Sequence, residues 1–298
     1  MITVSGLTKH YGDRVAVDDV SFVVGSGRVT GFVGPNGAGK STTMAMMVGL
    51  TRPTLGSVSY AGVEYTDLAH PACVVGSVLT AESMHPGRTA RNHLRTLAAL
   101  SGISTERVDS VLAEVGLLTA ANQRAGTFSL GMRQRLALAG ALLGEPEVLL
   151  LDEPANGLDP DGIRWLRTYL RAFADNGGAV FVSSHLIAEL AMFVDDLVVI
   201  GGGRLLAVDT IEGITAANET TVLVGTPNMT EFTTLLESCG LLTKPIGNRL
   251  AIRGTTRSAV AHLAFEHRIL LDELTESSKS LEDSLIDLTS QTAEFASA

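Results

Sequence analysis

Two kinds of hydrophobic pattern run along the chain, and they predict two kinds of strand. In residues 2–7 and 15–24, apolar and polar side chains alternate, which is typical of antiparallel strands with one buried face. Largely apolar runs occupy residues 29–33, 147–151, 179–184 and 197–200. Such runs are typical of parallel strands that are buried on both faces. The pattern therefore predicts an α/β fold in which an antiparallel N-terminal part precedes a parallel sheet.

The middle of this first part is predicted to be helical. A strand pair is predicted around residues 57–60 and 74–79, and residues 89–143 then follow a helical pattern. Within it, Ser104 is a plausible cap for a helix over 104–115. Further helices are predicted over 42–50 and near 161–176. Since the stretch from about 85 to 145 separates two strands, we expect it to form a helical subdomain beside the sheet.

The pattern of apolar and polar positions changes at about residue 216. We therefore predict one domain over 1–215 and a small accessory domain over 216–298. In the second domain the expected strands are 222–224, 249–253 and 269–271, and the expected helices are 228–238, 257–266 and an amphipathic one over 280–288. This mixture fits a small α+β domain. It contains no cluster of histidine, cysteine or carboxylate side chains with catalytic spacing.

Composition excludes several classes of protein. The 298 residues carry a net charge of −10, which disfavours a nucleic-acid partner. Mean hydropathy is high, at +0.27, yet no apolar stretch reaches about 18 residues, so no transmembrane helix is predicted. The N-terminus lacks the basic and apolar regions of a secretory signal. Two isolated cysteines, Cys73 and Cys239, predict neither a zinc site nor a disulfide framework, and buried thiols are the simplest interpretation.

The stretch Gly34–Thr42 fits the phosphate-binding pattern G-x-x-x-x-G-K-[ST]. It lies between a predicted strand and a predicted helix, as this pattern requires. A glycine-rich turn lets several backbone N–H groups approach the phosphates, and the helix that follows adds its positive N-terminal end. Lys40 is therefore predicted to reach the β- and γ-phosphates, and the Ser41 hydroxyl to bind Mg²⁺.

Two adjacent carboxylates, Asp152 and Glu153, follow the apolar run at 147–151. Ligands of parallel sheets lie beyond the carboxyl ends of the strands. Asp152 is thus placed to hold Mg²⁺, directly or through water, and Glu153 to polarise an attacking water. An isolated Asp-Glu pair is usually a solvated turn, but the upstream phosphate loop favours the catalytic interpretation. His185, at the end of the strand over 179–184, is expected at the same edge of the sheet.

From residue 1 to about 215, the sequence resembles the ATP-binding subunit of ABC transporters. In order, Gly34–Thr42 resembles the Walker A motif, Phe128–Met132 with Arg133–Leu136 the signature motif, Leu149–Glu153 Walker B, Gly157–Pro160 the D-loop, and His185 the switch histidine. Other P-loop NTPases lack a counterpart of 128–136, so the combination is specific. The expected fold is a P-loop NTPase with an antiparallel β subdomain and a helical subdomain.

The resemblance also implies the site residues. ATP hydrolysis would depend on Lys40, Glu153 and His185 as catalytic residues. The nucleotide would be bound by Tyr11, which stacks on adenine, and by Gly34, Asn36, Gly37, Ala38, Gly39, Lys40, Ser41, Thr42, Ser129, Gly131 and Asp159. Mg²⁺ would be held by Ser41, Asp152 and Thr80. Taken alone, Tyr11 would more often be an edge or core residue, so its assignment depends on the family.

In the family, the signature helix caps ATP held by a second subunit. Ser129 and the Gly131 N–H are expected at a helix N-terminus, which is a favourable anion site. Two nucleotide-binding domains would then pair head-to-tail, with a homodimer favoured and a heterodimer possible. The sequence departs from the family at Leu130 and Met132, where Gly and Gln are usual, and at Thr80, which replaces the Q-loop glutamine. Threonine is too short to reach Mg²⁺ directly, so a water would have to bridge.

The resemblance implies a peripheral ATPase subunit at the cytoplasmic face of the membrane that powers export of a drug-like, lipid or peptide substrate through a separate permease. At residues 84–94, the resemblance implies a groove that receives a coupling helix of the permease; the alternative is a solvated helix start with Arg88 and Arg91 exposed. The closing pattern at 280–284 is similar to the extension of drug-export ABC-2 subunits. The alternatives are a soluble ABC ATPase that acts on ribosomes or nucleic acid, an importer ATPase, and a nucleotide-binding regulator without turnover.

Overall fold

The computed structural model describes residues 1–80, 84–184, 190–216 and 221–277. They fall into two compact units that divide between Ile211 and Glu212, close to the predicted boundary at 215/216. Within the described ranges, no helix is long and apolar enough to cross a membrane.

The larger unit contains ten strands and six helices within the described residues, and a further helix, Ile211–Ala216, begins at its end. The strands are β1 (Ile2–Tyr11), β2 (Arg14–Val24), β3 (Arg28–Val33), β4 (Leu55–Tyr60), β5 (Val63–Glu64), β6 (Val75–Val78), β7 (Val148–Leu151), β8 (Ala179–Ser184), β9 (Asp196–Gly201) and β10 (Arg204–Thr210). The helices are α1 (Lys40–Met47), α2 (Pro71–Val74), α3 (Ala90–Leu100), α4 (Arg107–Glu114), α5 (Leu130–Leu142) and α6 (Pro160–Asp175). Short 3₁₀ turns lie at Tyr65–Asp67, Leu118–Ala120 and Ala125–Thr127.

The predicted parallel sheet is present. It has six strands in the order β10-β9-β3-β8-β7-β6, and all neighbours are parallel except β10 and β9. Val33 is in register with Ser184, and Leu151 with Val182. The carboxyl ends of β3, β7 and β8 therefore meet at one edge of the sheet, where each runs into a segment that the sequence predicts to be functional.

The second sheet of this unit is antiparallel, with the order β2-β1-β4-β5, as the alternating pattern predicts. The prediction that residues 57–60 and 74–79 pair with each other is wrong. A tight turn at Ala61 and Gly62 pairs β4 with β5, while β6 pairs in parallel with β7 in the other sheet. The 3₁₀ turn at Tyr65–Asp67 and α2 connect the two sheets. β4 and β6 are therefore close in sequence but belong to different sheets.

One core joins the two sheets and α1. The rings of Phe22 in β2, Phe32 in β3 and Phe181 in β8 lie 5.0–5.9 Å apart between centroids, and Met44 and Met47 of α1 are buried in the same cluster. This packing of aromatic and thioether side chains fixes α1, and with it the loop that precedes α1, against the sheet.

Helices α3, α4 and α5 form the predicted helical subdomain between β6 and β7. The Thr89 hydroxyl caps α3 by accepting from the Asn92 N–H. The predicted cap at Ser104 is displaced, because α4 begins only at Arg107, and the Ser104 hydroxyl accepts instead from the Glu106 N–H in the turn before it.

The smaller unit is an antiparallel sheet with two helices. Its elements are β11 (Thr221–Gly225), the helix Met229–Ser238, β12 (Leu242–Ile246), β13 (Arg249–Arg253), the helix Arg257–Glu266 and β14 (Glu273–Ser277). The strand order is β12-β13-β11-β14. Its core contains Val222 and Val224 of β11, Phe232 and Leu236 of the first helix, and Val260 of the second. This unit has the α+β composition that the sequence predicts.

Two sequence-based assignments in this unit are corrected. Residues 269–271 are not a strand: Ile269 is buried in the core, but the Leu270 carbonyl accepts from the Thr226 hydroxyl instead of joining a ladder. The strand begins at Glu273, where the sequence is largely polar. β12 was not predicted. It contains Pro245, which a strand tolerates at a sheet edge, and β12 lies at the edge of this sheet. The helix predicted over 280–288 lies outside the described residues.

Both cysteines are exposed rather than buried. Cys73 lies in the short helix α2, and Cys239 follows the helix Met229–Ser238. Neither position belongs to a core cluster, so the expectation of buried thiols is wrong.

Candidate functional site

The loop between β3 and α1 is shaped by close contacts that exclude side chains. A Cβ atom on Gly34 would overlap the Ile200 carbonyl oxygen, and one on Gly39 would lie 2.7 Å from the Ala16 carbonyl oxygen. Gly39 also has a φ of +105°, which favours glycine. The Gly203 N–H donates to the Ala38 carbonyl (3.1 Å). The loop is therefore clamped between β2 and the β9–β10 turn, in front of the N-terminus of α1.

Lys40 begins α1 and folds back over its own loop. Its Nζ donates to the Gly34 carbonyl (2.7 Å) and the Pro35 carbonyl (3.3 Å), and the residue is only 7% exposed. Burial lowers the pKa of Lys40, while the negative charges of Glu153 and Asp152 act in the opposite direction. The two carboxylates beyond β7 are thus within electrostatic reach of the lysine ammonium, as a site for a phosphate and a metal requires.

The carboxylates are held by backbone and side-chain contacts from the neighbouring strands. The Asp152 N–H donates to the Val78 carbonyl (2.8 Å). The Ser183 hydroxyl, on β8, donates to Asp152 Oδ1 (2.5 Å) and accepts from the Glu153 N–H (2.9 Å). Glu153 has a φ of +49°, an uncommon conformation for a residue with a side chain. Such backbone strain is typical of functional sites that their surroundings hold in place.

A cavity of about 410 Å³ opens beside the loop and brings half of the predicted site residues together. It is lined by Tyr11, Arg14, Ala16, Asn36, Gly37, Gly39, Lys40, Ser41, Thr42 and Glu153. Tyr11 is 52% exposed, and Lys9 Nζ lies over its ring, 5.0 Å from the centroid. The cavity therefore joins an aromatic face, a phosphate loop and a carboxylate, the groups that a nucleoside triphosphate needs.

A larger cavity, of about 520 Å³, lies elsewhere in this unit. Its lining residues include Ser26, Glu147 and Gly178, which precede β3, β7 and β8. It therefore lies at the amino ends of the parallel strands, the edge opposite to the one where such sheets bind ligands. Size alone does not make it the candidate site.

Thr80 lies in a third cavity, of about 380 Å³, between β6 and the helical subdomain. Residues that line it include Thr80, Met84 and His93. His93 is 8% exposed, and no hydrogen-bond partner within the described residues reaches its Nδ1. Burial, and to a lesser degree the charge of Arg88, lower the pKa of His93. Thr80 itself lies two residues beyond the end of β6. It is not among the described residues that line the nucleotide cavity.

The signature and D-loop residues also lie outside that cavity in their own chain. The Ser129 hydroxyl caps α5 by accepting from the Met132 N–H, and Asp159 Oδ1 caps α6 by accepting from the Gly162 N–H (2.7 Å). Ser129, Gly131 and Asp159 are absent from the described lining of the 410 Å³ cavity. The predicted role of His185 falls outside the described residues.

Comparison with known proteins decides the family. A relative from Bacillus subtilis (strain 168), named as the uncharacterized ABC transporter ATP-binding protein YhcH, is 35% identical over 297 residues, covering 99% of this chain and 97% of the relative. The chain belongs to the ATP-binding subunits of ABC transporters. The ABC transporter family model matches residues 17–156, and a family described only as a domain of unknown function matches residues 220–282.

Two further comparisons extend this result. The Nod factor export ATP-binding protein I of Rhizobium leguminosarum bv. viciae is 31% identical over 260 residues, which cover 86% of this chain and 82% of that protein. A solved ATP-binding subunit of an ABC transporter superposes with a TM-score of 0.66 and 30% identity, covering 72% of this chain and 92% of the other. The predicted fold class, a P-loop NTPase, and the predicted ATPase activity of an ABC cassette are therefore confirmed.

The donors of this ABC cassette suit a hard divalent cation. Ser41 offers a hydroxyl and Asp152 a carboxylate, and Mg²⁺ prefers such oxygen ligands. Among the residues that the structure describes, no group of three or more His, Cys, Asp or Glu side chains could hold a metal alone. A cation here would thus need phosphate oxygens as well, which is how Mg²⁺ is commonly bound with nucleotides.

Sequence reasoning missed three residues of the cassette's site. Arg14 and Ala16 line the nucleotide cavity, and Ser183 bonds both carboxylate residues. A signal for Ser183 was available: it is a polar residue near the carboxyl end of an otherwise apolar buried strand. Arg14 follows Tyr11 by one tight turn, so its position follows from the β1–β2 hairpin once that register is known.

Proposed function

We propose that this chain is the Mg²⁺-dependent ATPase subunit of an exporter and works with a separate membrane permease at the cytoplasmic face of the membrane. The observation that carries the proposal is the single cavity that Lys40, Ser41 and Glu153 share. The name of the Rhizobium relative, which refers to Nod factor export, supports the direction of transport.

The geometry supports a specific division of roles. Lys40 would stabilise the charge that develops on the γ-phosphate, and the adenine would stack on Tyr11. Glu153 would orient a water and accept its proton as the water oxygen bonds to the γ-phosphorus. The bond from that phosphorus to the β–γ bridging oxygen then breaks, giving ADP and phosphate. Mg²⁺, held by Ser41 and Asp152, would neutralise phosphate charge.

We infer a dimer because each chain offers two half-sites on different surfaces. The phosphate loop and the capped N-terminus of α5 at Ser129 would meet only between two copies, head-to-tail, and a homodimer is favoured. ATP binding would close the pair, and hydrolysis would reopen it. The groove that contains Thr80, Met84 and His93 would receive the permease, so closure of the pair is transmitted to the membrane subunit.

The test is purification from detergent-solubilised membranes of the native host, with the wild type, Glu153→Gln and Glu147→Gln compared. We expect an integral membrane protein to co-purify with all three. ATP turnover should fall by at least about 10²-fold only in Glu153→Gln, since a positioned base contributes that much. Glu147→Gln is the matched control, because it makes the same change at the opposite end of β7.

Two results would count against this function. Co-purification of ribosomes without a membrane protein would favour a soluble ABC ATPase. Wild-type turnover in Glu153→Gln would show that another group handles the attacking water.

A further inference from the structure

Ser183 makes two hydrogen bonds at the centre of the site. It is 0% exposed, and its hydroxyl donates to Asp152 Oδ1 (2.5 Å) while accepting from the Glu153 N–H (2.9 Å). Leu151 is in register with Val182, so the next residues of the two strands, Asp152 and Ser183, lie side by side. The hydroxyl therefore bridges β8 to both residues that end β7.

Each of these bonds restrains a different degree of freedom. Donation to Oδ1 restrains the rotation of the Asp152 carboxylate. Acceptance from the Glu153 N–H holds the peptide where φ is +49°, a strained conformation that persists only where the surrounding structure maintains it. One buried hydroxyl thus restrains both acidic residues.

We propose that Ser183 is a positioning residue for the ATPase site: it orients the Asp152 carboxylate toward the metal and fixes the backbone from which Glu153 extends. This inference rests on the proposed function of the same site. Groups that hydrogen-bond a metal ligand commonly affect metal affinity or activity on the order of 10- to 100-fold when removed. Ser183 is not among the described residues that line the nucleotide cavity, so its role would be indirect.

The chain offers a matched control at Thr30 on the adjacent strand β3. Thr30 is 1% exposed, and its Oγ1 has no hydrogen-bond partner among the residues that the structure describes. Thr30→Val therefore removes a buried hydroxyl from the same sheet without breaking a hydrogen bond to any described residue. A loss shared by both variants would reflect disturbance of the sheet, whereas a loss confined to Ser183→Ala would reflect its two bonds.

The experiment compares the wild type, Ser183→Ala, Ser183→Thr and Thr30→Val in the full-length chain. Affinity for a fluorescent, non-hydrolysable ATP analogue is measured with Mg²⁺ and with EDTA, thermal unfolding is recorded for each variant, and ATPase activity is titrated with Mg²⁺. We expect Ser183→Ala to weaken Mg²⁺-dependent analogue binding on the order of tenfold and to raise the Mg²⁺ concentration needed for half-maximal turnover. Binding in EDTA should be unchanged.

Ser183→Thr keeps the hydroxyl and should restore the metal dependence, and Thr30→Val should match the wild type in every assay. The proposal is overturned if Ser183→Ala, folded by its melting curve, keeps the wild-type Mg²⁺ dependence, or if Thr30→Val loses as much. If Ser183→Thr fails to fold, the comparison of Ser183→Ala with Thr30→Val decides alone. A wild type that binds the analogue but does not hydrolyse ATP would refute the proposed function, while the binding assay would still test Ser183.

Discussion

At the scale of single residues, the site depends on contacts that few side chains could replace. Gly34 and Gly39 lie against backbone oxygens, and the Lys40 ammonium is buried against its own loop. These residues could be predicted from the sequence because their chemistry dictates both residue type and spacing. The hydrogen bond from Ser183 to Asp152 could not be predicted, since the two residues lie 31 positions apart and only the strand register brings them together.

Asp195 is a second residue whose contacts are not visible in the sequence. It accepts from the Val29 N–H (2.8 Å) of β3 and from Arg171 Nη1 (2.8 Å) of α6. Burial alone would raise the pKa of Asp195, but these hydrogen bonds and the charges of Arg171 and Arg28 outweigh it, so its pKa lies below the ordinary value. The carboxylate therefore ties α6 to the strand that precedes the phosphate loop.

We expect Asp195→Asn to lower the free energy of unfolding at pH 7 by about 1–3 kcal/mol, since a charged hydrogen bond to Arg171 is lost. The control is Asp175→Asn, which removes the other carboxylate on Arg171; its side chain is 63% exposed, and such pairs contribute about 0–1 kcal/mol. Urea titrations of both variants measure the difference.

The same contact predicts a pH dependence. Because the folded pKa of Asp195 is depressed, its contribution is complete above the unfolded pKa, near about 3.9, and is lost as the pH falls through the folded value. The stability gap between the wild type and Asp195→Asn should therefore narrow below about pH 4. A gap that stays constant as the pH falls below about 4, until the protein unfolds, would show that the contact does not depend on the carboxylate charge.

At the scale of elements, the parallel strands and most helices could be predicted, because long apolar runs and helical periodicity are local signals. The partner strands of β4 and β6 could not be predicted, because they depend on which sheet each strand joins. For a related reason, the sequence predicted no strand at β12 and placed the last strand at 269–271 instead of at β14. Both are edge strands, and edge positions tolerate the proline and polar residues that normally argue against a strand.

The start of α5 and the D-loop are coupled through packing. Gly157 has a φ of +72°, and a Cβ atom there would overlap the Leu130 side chain. Leu130 stands where the family usually has glycine, so this leucine fills the space above Gly157. Leu130, which replaces the usual signature glycine, therefore packs where Gly157 has no side chain.

We expect Gly157→Ala to destabilise the protein more than Gly102→Ala does. Gly102 has a similar φ of +67°, but nothing lies within 4 Å of the position that a Cβ atom would occupy there, so it isolates the backbone cost of about 1–3 kcal/mol. Adding Leu130→Ala to Gly157→Ala should recover part of the excess, as measured by urea unfolding. Equal losses in the two glycine variants would show that the Leu130 contact contributes nothing.

At the scale of the whole molecule, the nucleotide cavity of the larger unit and the capped start of α5 are separate features. The cavity with Lys40 and Glu153 lacks Ser129 among its described lining residues, and Ser129 instead caps the helix α5. The resemblance predicted such an arrangement, but no periodicity or spacing could, since it concerns a surface completed by another molecule. The proposed mechanism therefore requires a composite site between two copies.

The most direct test is a structure of Glu153→Gln with Mg·ATP. We predict that the γ-phosphate lies about 3 Å, hydrogen-bond distance, from Lys40 Nζ of one copy and from the Ser129 hydroxyl or Gly131 N–H of the other. A nucleotide that contacts residues of one copy only, with Ser129 of every copy far from the phosphates, would contradict the composite site.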